Sequence, residues 1–131
     1  MRVLFVTSEC HPLIKTGGLA DISAALPVAL AESGVDIRLM MPGYQQALDR
    51  ADHVGHAIPL GELPGGGQAR LLPTRCPDSG MPLWLVDCPT LYRRNGGPYQ
   101  GSDGRDWPDN DLRFAALCHA AARVALDAAG L

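Results

Sequence analysis

Lys15-Thr16-Gly17-Gly18-Leu19-Ala20-Asp21 joins a short apolar run, Val3-Leu4-Phe5-Val6, to a segment with helical spacing. A strand that feeds a helix through a glycine-containing loop is the opening of a βαβ unit, and the rest of the chain reads outward from it. Residues 1–7 lack strict alternation, as a strand buried on both faces does. Residues 8–18 form a loop that contains Pro12. Residues 19–33 follow a helical period. Leu19, Ile22, Leu26, Ala29 and Leu30 fall on one stripe expected to face the core, with Gly34 as the stop. Pro27 removes a hydrogen bond inside that helix and predicts a kink or a turn. Residues 35–41 form the second strand, closed by Pro42-Gly43.

Downstream, residues 44–52 read as a short helix or loop. Residues 56–63 and 68–75 flank Pro64-Gly65-Gly66-Gly67 and predict a hairpin with a flexible tip. Residues 81–88 are a further apolar strand. Residues 89–108 are rich in Gly, Pro, Asn, Asp and Tyr, a long polar loop of the kind that is functional or disordered. Residues 109–129 return to helix. Asp109 or Asn110 is expected as the cap, Gly130 as the end, and Leu112, Ala115, Ala116, His119, Ala122 and Leu126 as the buried stripe. No internal repeat is visible. The chain stops one residue after Gly130, where an α/β alternation places its next strand, so it is expected to be part of a longer polypeptide.

The 131 residues are 47% hydrophobic and 19% charged, the composition of one globular domain. The net charge is −3, and no Lys/Arg stripe or basic tail suggests a nucleic-acid partner. Arg93-Arg94 is only a pair, read as a solvated loop or a local anion contact. The apolar run at 3–6 is too short for a membrane span, and no secretory leader is legible. Cys10, Cys76, Cys88 and Cys118 have irregular spacing without C-x-x-C, which fits buried thiols in a reduced, cytoplasmic protein.

The chemistry concentrates on the glycine loop. Glycines let backbone approach a ligand or adopt positive φ, N–H groups at a helix start face an anion, and Lys15 adds a mobile charge that suits a diphosphate. The motif is neither a P-loop nor the dinucleotide fingerprint. From pattern alone a tight turn with a solvated lysine competes with a ligand loop. Glu9 and Asp21 flank the loop and could bond a sugar hydroxyl or hold Lys15, and Asp21 also suits a helix start. Neither reads as a member of an acid/base pair. His11 could line the pocket. His53 and His56 have no third ligand nearby, and His119 reads as a core or interface residue. Asp103, Asp106, Asp109 and Asp111 lack the Gly and Glu of a calcium loop. No metal or cofactor is called for, and no catalytic residue can be named. Tyr92, Tyr99 and Trp107 offer flat surfaces for a sugar or a base, or anchors for the long loop.

Together the residues resemble a known family. Arg2-Val3-Leu4-Phe5-Val6, Ser8-Glu9, Pro12 and the 15–21 stretch are similar to the N-terminus of bacterial glycogen synthases and plant starch synthases. So are Ala25-Leu26-Pro27, Gly34-Val35-Asp36, Met41-Pro42, Asp87, Leu91-Tyr92-Arg93, Gly97-Pro98-Tyr99, Asp106-Trp107, Asp109-Asn110 and Arg113-Phe114-Ala115. The match is weakest at about 45–80.

The resemblance implies an α/β, Rossmann-like three-layer sandwich with a mainly parallel sheet. On this reading residues 1–131 are part of the N-terminal, acceptor-side domain of a two-domain GT-B glycosyltransferase, and the C-terminal nucleotide-binding domain is absent. The implied reaction moves glucose from ADP-glucose to the non-reducing end of an α-1,4-glucan with retention. Lys15, Gly17 and Gly18 are implied at the donor diphosphate, and Glu9, His11, Asp21 and Tyr99 near the cleft. A two-domain enzyme using another nucleotide sugar and a non-catalytic phosphate or sugar-binding module are the alternatives. The isolated chain is expected to be inactive, to bind ADP-glucose weakly or not at all, and to self-associate if an edge strand is bare.

Overall fold

The structure, a computed structural model, describes residues 1–127. The helix end expected at 129–130 lies outside the described residues. Five strands form a hydrogen-bonded path and a sixth joins it on the side. They are β1 (Arg2–Val6), β2 (Asp36–Pro42), β3 (Asp52–His53), β4 (Ile58–Leu63), β5 (Gly67–Arg75) and β6 (Pro82–Asp87). The order is β1-β2-β6-β5-β3, with β4 also on β5. The sheet is mixed. Parallel pairing covers β1–β2 and β2–β6, in registers such as Val6↔Met40 and Leu39↔Leu83. The pairings of β5 with β6, β4 and β3 are antiparallel. The β4–β5 hairpin is the predicted one, and β3 is a two-residue strand that the sequence does not announce.

The βαβ opening is as expected. Helix α1 (Gly18–Glu32) connects β1 to its parallel neighbour β2. Gly34, with φ +89°, takes the left-handed turn that ends it. The helix runs unbroken through Pro27, which is buried. Its buried face differs from the expected stripe. Ala20, Ser23 and Pro27 face inward, whereas Leu19, Ile22 and Leu26 are 43%, 57% and 42% exposed. Small side chains let the helix sit close to the sheet, and the large ones are left outside.

Helix α4 (Asn110–Leu126) shows the same offset. It buries Arg113, Ala116, Leu117, Ala120 and Val124, while Leu112, His119 and Leu126 are exposed. Two short helices, α2 (Gln45–Arg50) and α3 (Pro89–Tyr92), complete the set. α3 starts the segment read as a long loop, and its Leu91 and Tyr92 are buried. The core gathers Leu13, Leu39, Met40, Met41, Leu71, Leu83, Leu85 and these two residues.

At the hairpin tip Gly66 is buried, while Pro64, Gly65 and Gly67 are exposed. A Cβ on Gly66 would lie 2.7 Å from both Cys88 Sγ and Leu91 Cδ1, so a larger residue there must displace those side chains. Arg123 on α4 donates to the carbonyls of Leu60 and Glu62, each at 2.6 Å, and so blunts the outer edge of β4.

Candidate functional site

The loop between β1 and α1 leaves the carboxyl end of a parallel strand, where sheets of this kind bind ligands. The residues singled out near it form an inner group around Glu9 and Tyr99 and an outer pair, Lys15 and Asp21. Glu9 is 3% exposed, and Lys15 pairs with Asp21 rather than with it. Its carboxylate accepts the Thr16 N–H at 2.6 Å, the Thr16 hydroxyl at 2.8 Å, the Gly17 N–H at 3.3 Å and the Tyr99 hydroxyl at 2.5 Å. Burial pushes the Glu9 carboxyl up, but the bonds from Tyr99 and Thr16 outweigh it and hold the group below its ordinary range. Glu9 is thus an ionised anchor that fixes the backbone just ahead of α1.

Tyr99 completes that anchor from the far end of the chain. Ser8 Oγ lies 2.7 Å from its hydroxyl and donates to it, since the Tyr99 proton goes to Glu9. Burial, then the hydrogen bond to Glu9, raise the Tyr99 hydroxyl above its usual value. The Tyr44 hydroxyl donates to the Ser8 carbonyl at 3.0 Å.

On the outer side of the loop, Lys15 Nζ meets both oxygens of Asp21, at 2.7 and 2.9 Å. Both side chains are about half exposed. The contact with Lys15 lowers the Asp21 carboxyl below its usual range. Asp21 therefore holds Lys15 and stands in the first turn of α1, two of the three roles the sequence leaves open. Gly17 has φ −161°, which is extended backbone, so positive φ is not why glycine stands here. A Cβ on Gly17 or Gly18 would meet no atom within 4 Å. The space over these residues is open, and no side chain caps the α1 N-terminus. An uncapped helix start with a lysine held at its first turn offers the N–H groups and the charge that an anion needs. The His11 N–H bonds the Ala20 carbonyl at 3.1 Å and ties the loop to the helix.

Other candidates resolve into structural roles. Arg93 pairs with the buried Asp87 and Arg94 with Asp109, so neither is a free anion contact. Because Arg94 takes the Asp109 carboxylate, that side chain makes no cap bond to α4. His53 Nε2 bonds the Leu48 carbonyl at 2.7 Å. Among the described residues no group of three His, Cys, Asp or Glu side chains could hold a metal. Cys10, Cys76 and Cys88 are buried free thiols, and Cys118 is exposed. Trp107 anchors the long loop through its indole N–H, which bonds the Gly97 carbonyl at 2.9 Å.

What sequence reasoning missed is the far side of this loop. Asn110 and Arg113 bond the carbonyls of Tyr99 and Pro98, at 2.9 and 2.8 Å. The available signal was a charged residue at the helical spacing of Ala116, Leu117, Ala120 and Val124.

A glycine loop with a tethered lysine, at the carboxyl end of β1 in an open α/β sheet, is the layout of a Rossmann-like fold. The family model for the starch synthase catalytic domain matches residues 2–130, and the chain belongs to that family. It is 54% identical to a glycogen synthase of Rhodospirillum rubrum over 124 residues, which is 95% of this chain and 26% of the relative. It is 56% identical to one of Burkholderia thailandensis over 128 residues, 98% of this chain and 24% of the relative. In fold it is similar to the catalytic domain of Starch Synthase IV from Arabidopsis thaliana bound to ADP and acarbose. That likeness has a TM-score of 0.72 at 19% identity and covers 96% of this chain and 25% of the other. The chain spans about a quarter of the length of the curated relatives it matches.

Proposed function

We propose that this chain is the acceptor-side part of a glycogen synthase, which moves glucose from ADP-glucose to the non-reducing end of an α-1,4-glucan with retention. The observation that carries the reading is the pairing of Lys15 with an uncapped helix start over two open glycines. In such a transfer the leaving diphosphate gains charge as the sugar departs. Lys15 and the N–H groups beyond Gly17 and Gly18 are suited to stabilise that charge where it develops. Asp21 pre-orients the ammonium, and a phosphate oxygen then shares it. Glu9 and Tyr99 hold the loop, and His11 borders it. Names of the relatives favour a glucan and a nucleotide sugar as substrates. The base of the nucleotide, and the other half of the cleft, belong on this reading to a second domain. The chain alone is inactive, and its location is cytoplasmic. No helix among the described residues is long and apolar enough to cross a membrane.

The test is Lys15→Met in the full-length protein, read by ADP affinity and by turnover. Losing one charge-assisted contact is expected to weaken ADP binding by roughly 10- to 100-fold. Wild-type affinity in a folded variant overturns the reading.

A further inference from the structure

Three successive carbonyls of the 97–99 strap are each held by residues 107–113. Gly97 O accepts the Trp107 indole N–H at 2.9 Å. Pro98 O accepts Arg113 Nη2 at 2.8 Å. Tyr99 O accepts Asn110 Nδ2 at 2.9 Å and the Trp107 backbone N–H at 3.0 Å. The Tyr99 ring lies 5.8 Å from that of Phe114, on the same helix. With its backbone and ring set from α4, the Tyr99 hydroxyl has one direction left, toward Ser8 and Glu9.

Arg113 is the costly member of this arrangement. It is 1% exposed and has no ion-pair partner among the described residues. Its Nη1 donates to Leu91 O, and its guanidinium carbon lies 5.3 and 5.7 Å from the ring centroids of Trp107 and Tyr92. Its Nε, like Asn110 Oδ1, is buried without a hydrogen-bond partner. Burial pulls the guanidinium below its ordinary value. Removing a charge from water costs several kcal/mol, and an apolar side chain of similar length would avoid that. A planar fork can hold two carbonyls, here those of Leu91 and Pro98, in one fixed relation, and an ammonium or an alkyl chain cannot.

We infer that Arg113 is a positioning residue for the glycine loop: it sets the Pro98-Tyr99 backbone, Tyr99 sets Glu9, and Glu9 sets the Thr16 and Gly17 N–H groups. Only the consequence for ADP rests on the proposed function.

The experiment is a double-mutant cycle of Arg113→Met and Tyr99→Phe in the full-length protein. Hydrogen exchange at the Thr16 and Gly17 amides is read beside ADP affinity. Each single change is expected to speed exchange at both amides by about 10-fold or more, the value of a bond to a charged group. The double variant is expected to exchange no faster than Tyr99→Phe alone. Additive effects, or unchanged exchange in Arg113→Met, overturn the inference. Should Arg113→Met fail to fold, Arg113→Lys and Asn110→Ala enter the same cycle. Each removes a hold on the strap, so each is expected to speed exchange and to lose that effect in the Tyr99→Phe background. Faster exchange with unaltered ADP affinity upholds the positioning role and removes the diphosphate reading. Weaker ADP binding with unaltered exchange does the opposite.

Discussion

Glu9 shows how much one carboxylate can organise. It lies at the end of β1, is 3% exposed, and gathers bonds from Thr16, Gly17 and Tyr99. Glu9→Gln keeps the shape but loses the charge and turns an acceptor into a donor. A loss of about 2–3 kcal/mol in unfolding free energy is expected, measured by urea titration. The pH dependence follows in sign. The folded carboxyl sits below its ordinary value of 4.5, so its contribution is present above that value and is lost as pH falls through the lower folded one. Between about pH 6 and about pH 3, the wild-type midpoint is expected to fall further than that of Glu9→Gln. Equal falls would mean that Glu9 is not held as an anion.

At the scale of elements, the hairpin tip makes the sharpest prediction. Gly66→Ala puts a methyl group 2.7 Å from Cys88 Sγ and Leu91 Cδ1. A destabilisation of about 1–3 kcal/mol is expected in a thermal or denaturant melt. An unchanged midpoint would show that α3 yields. The same elements show what was legible in the sequence. Strands β1, β2 and β6, the hairpin and the glycine loop were readable, because apolar runs and Gly/Pro punctuation are local signals. The faces of α1 and α4 were not. Leu19, Ile22 and Leu26 drew the expected stripe outward, while Ala20, Ser23 and Pro27 do the packing. Size misleads where a helix lies close to a sheet. The order of residues 89–108 was hidden too, because Trp107, Asn110 and Arg113 hold that segment by bonds to carbonyls, which leave no periodic trace.

Over the whole molecule, β1 forms one edge of the sheet among the described residues, and β3 and β4 lie at the other. β1 has β2 as its strand neighbour, and Val6 is 40% exposed at its end. Helix α1 turns Leu19, Ile22 and Leu26 to the outside. An exposed apolar helix face is the kind of surface through which chains associate. Ile22→Ser with Leu26→Ser is expected to shift the chain toward monomer in sedimentation, with folding stability changed by only about 0.5 kcal/mol per site. An unaltered mass distribution would locate the contact elsewhere. The packing of Gly66 also says where the chain can change its length. An insertion at 64–67 would lift Gly66 off α3, whereas the turn at 77–80 is exposed at all four positions. Extra residues, natural or grafted as an affinity tag, are absorbed at that second turn and leave the glycine loop undisturbed.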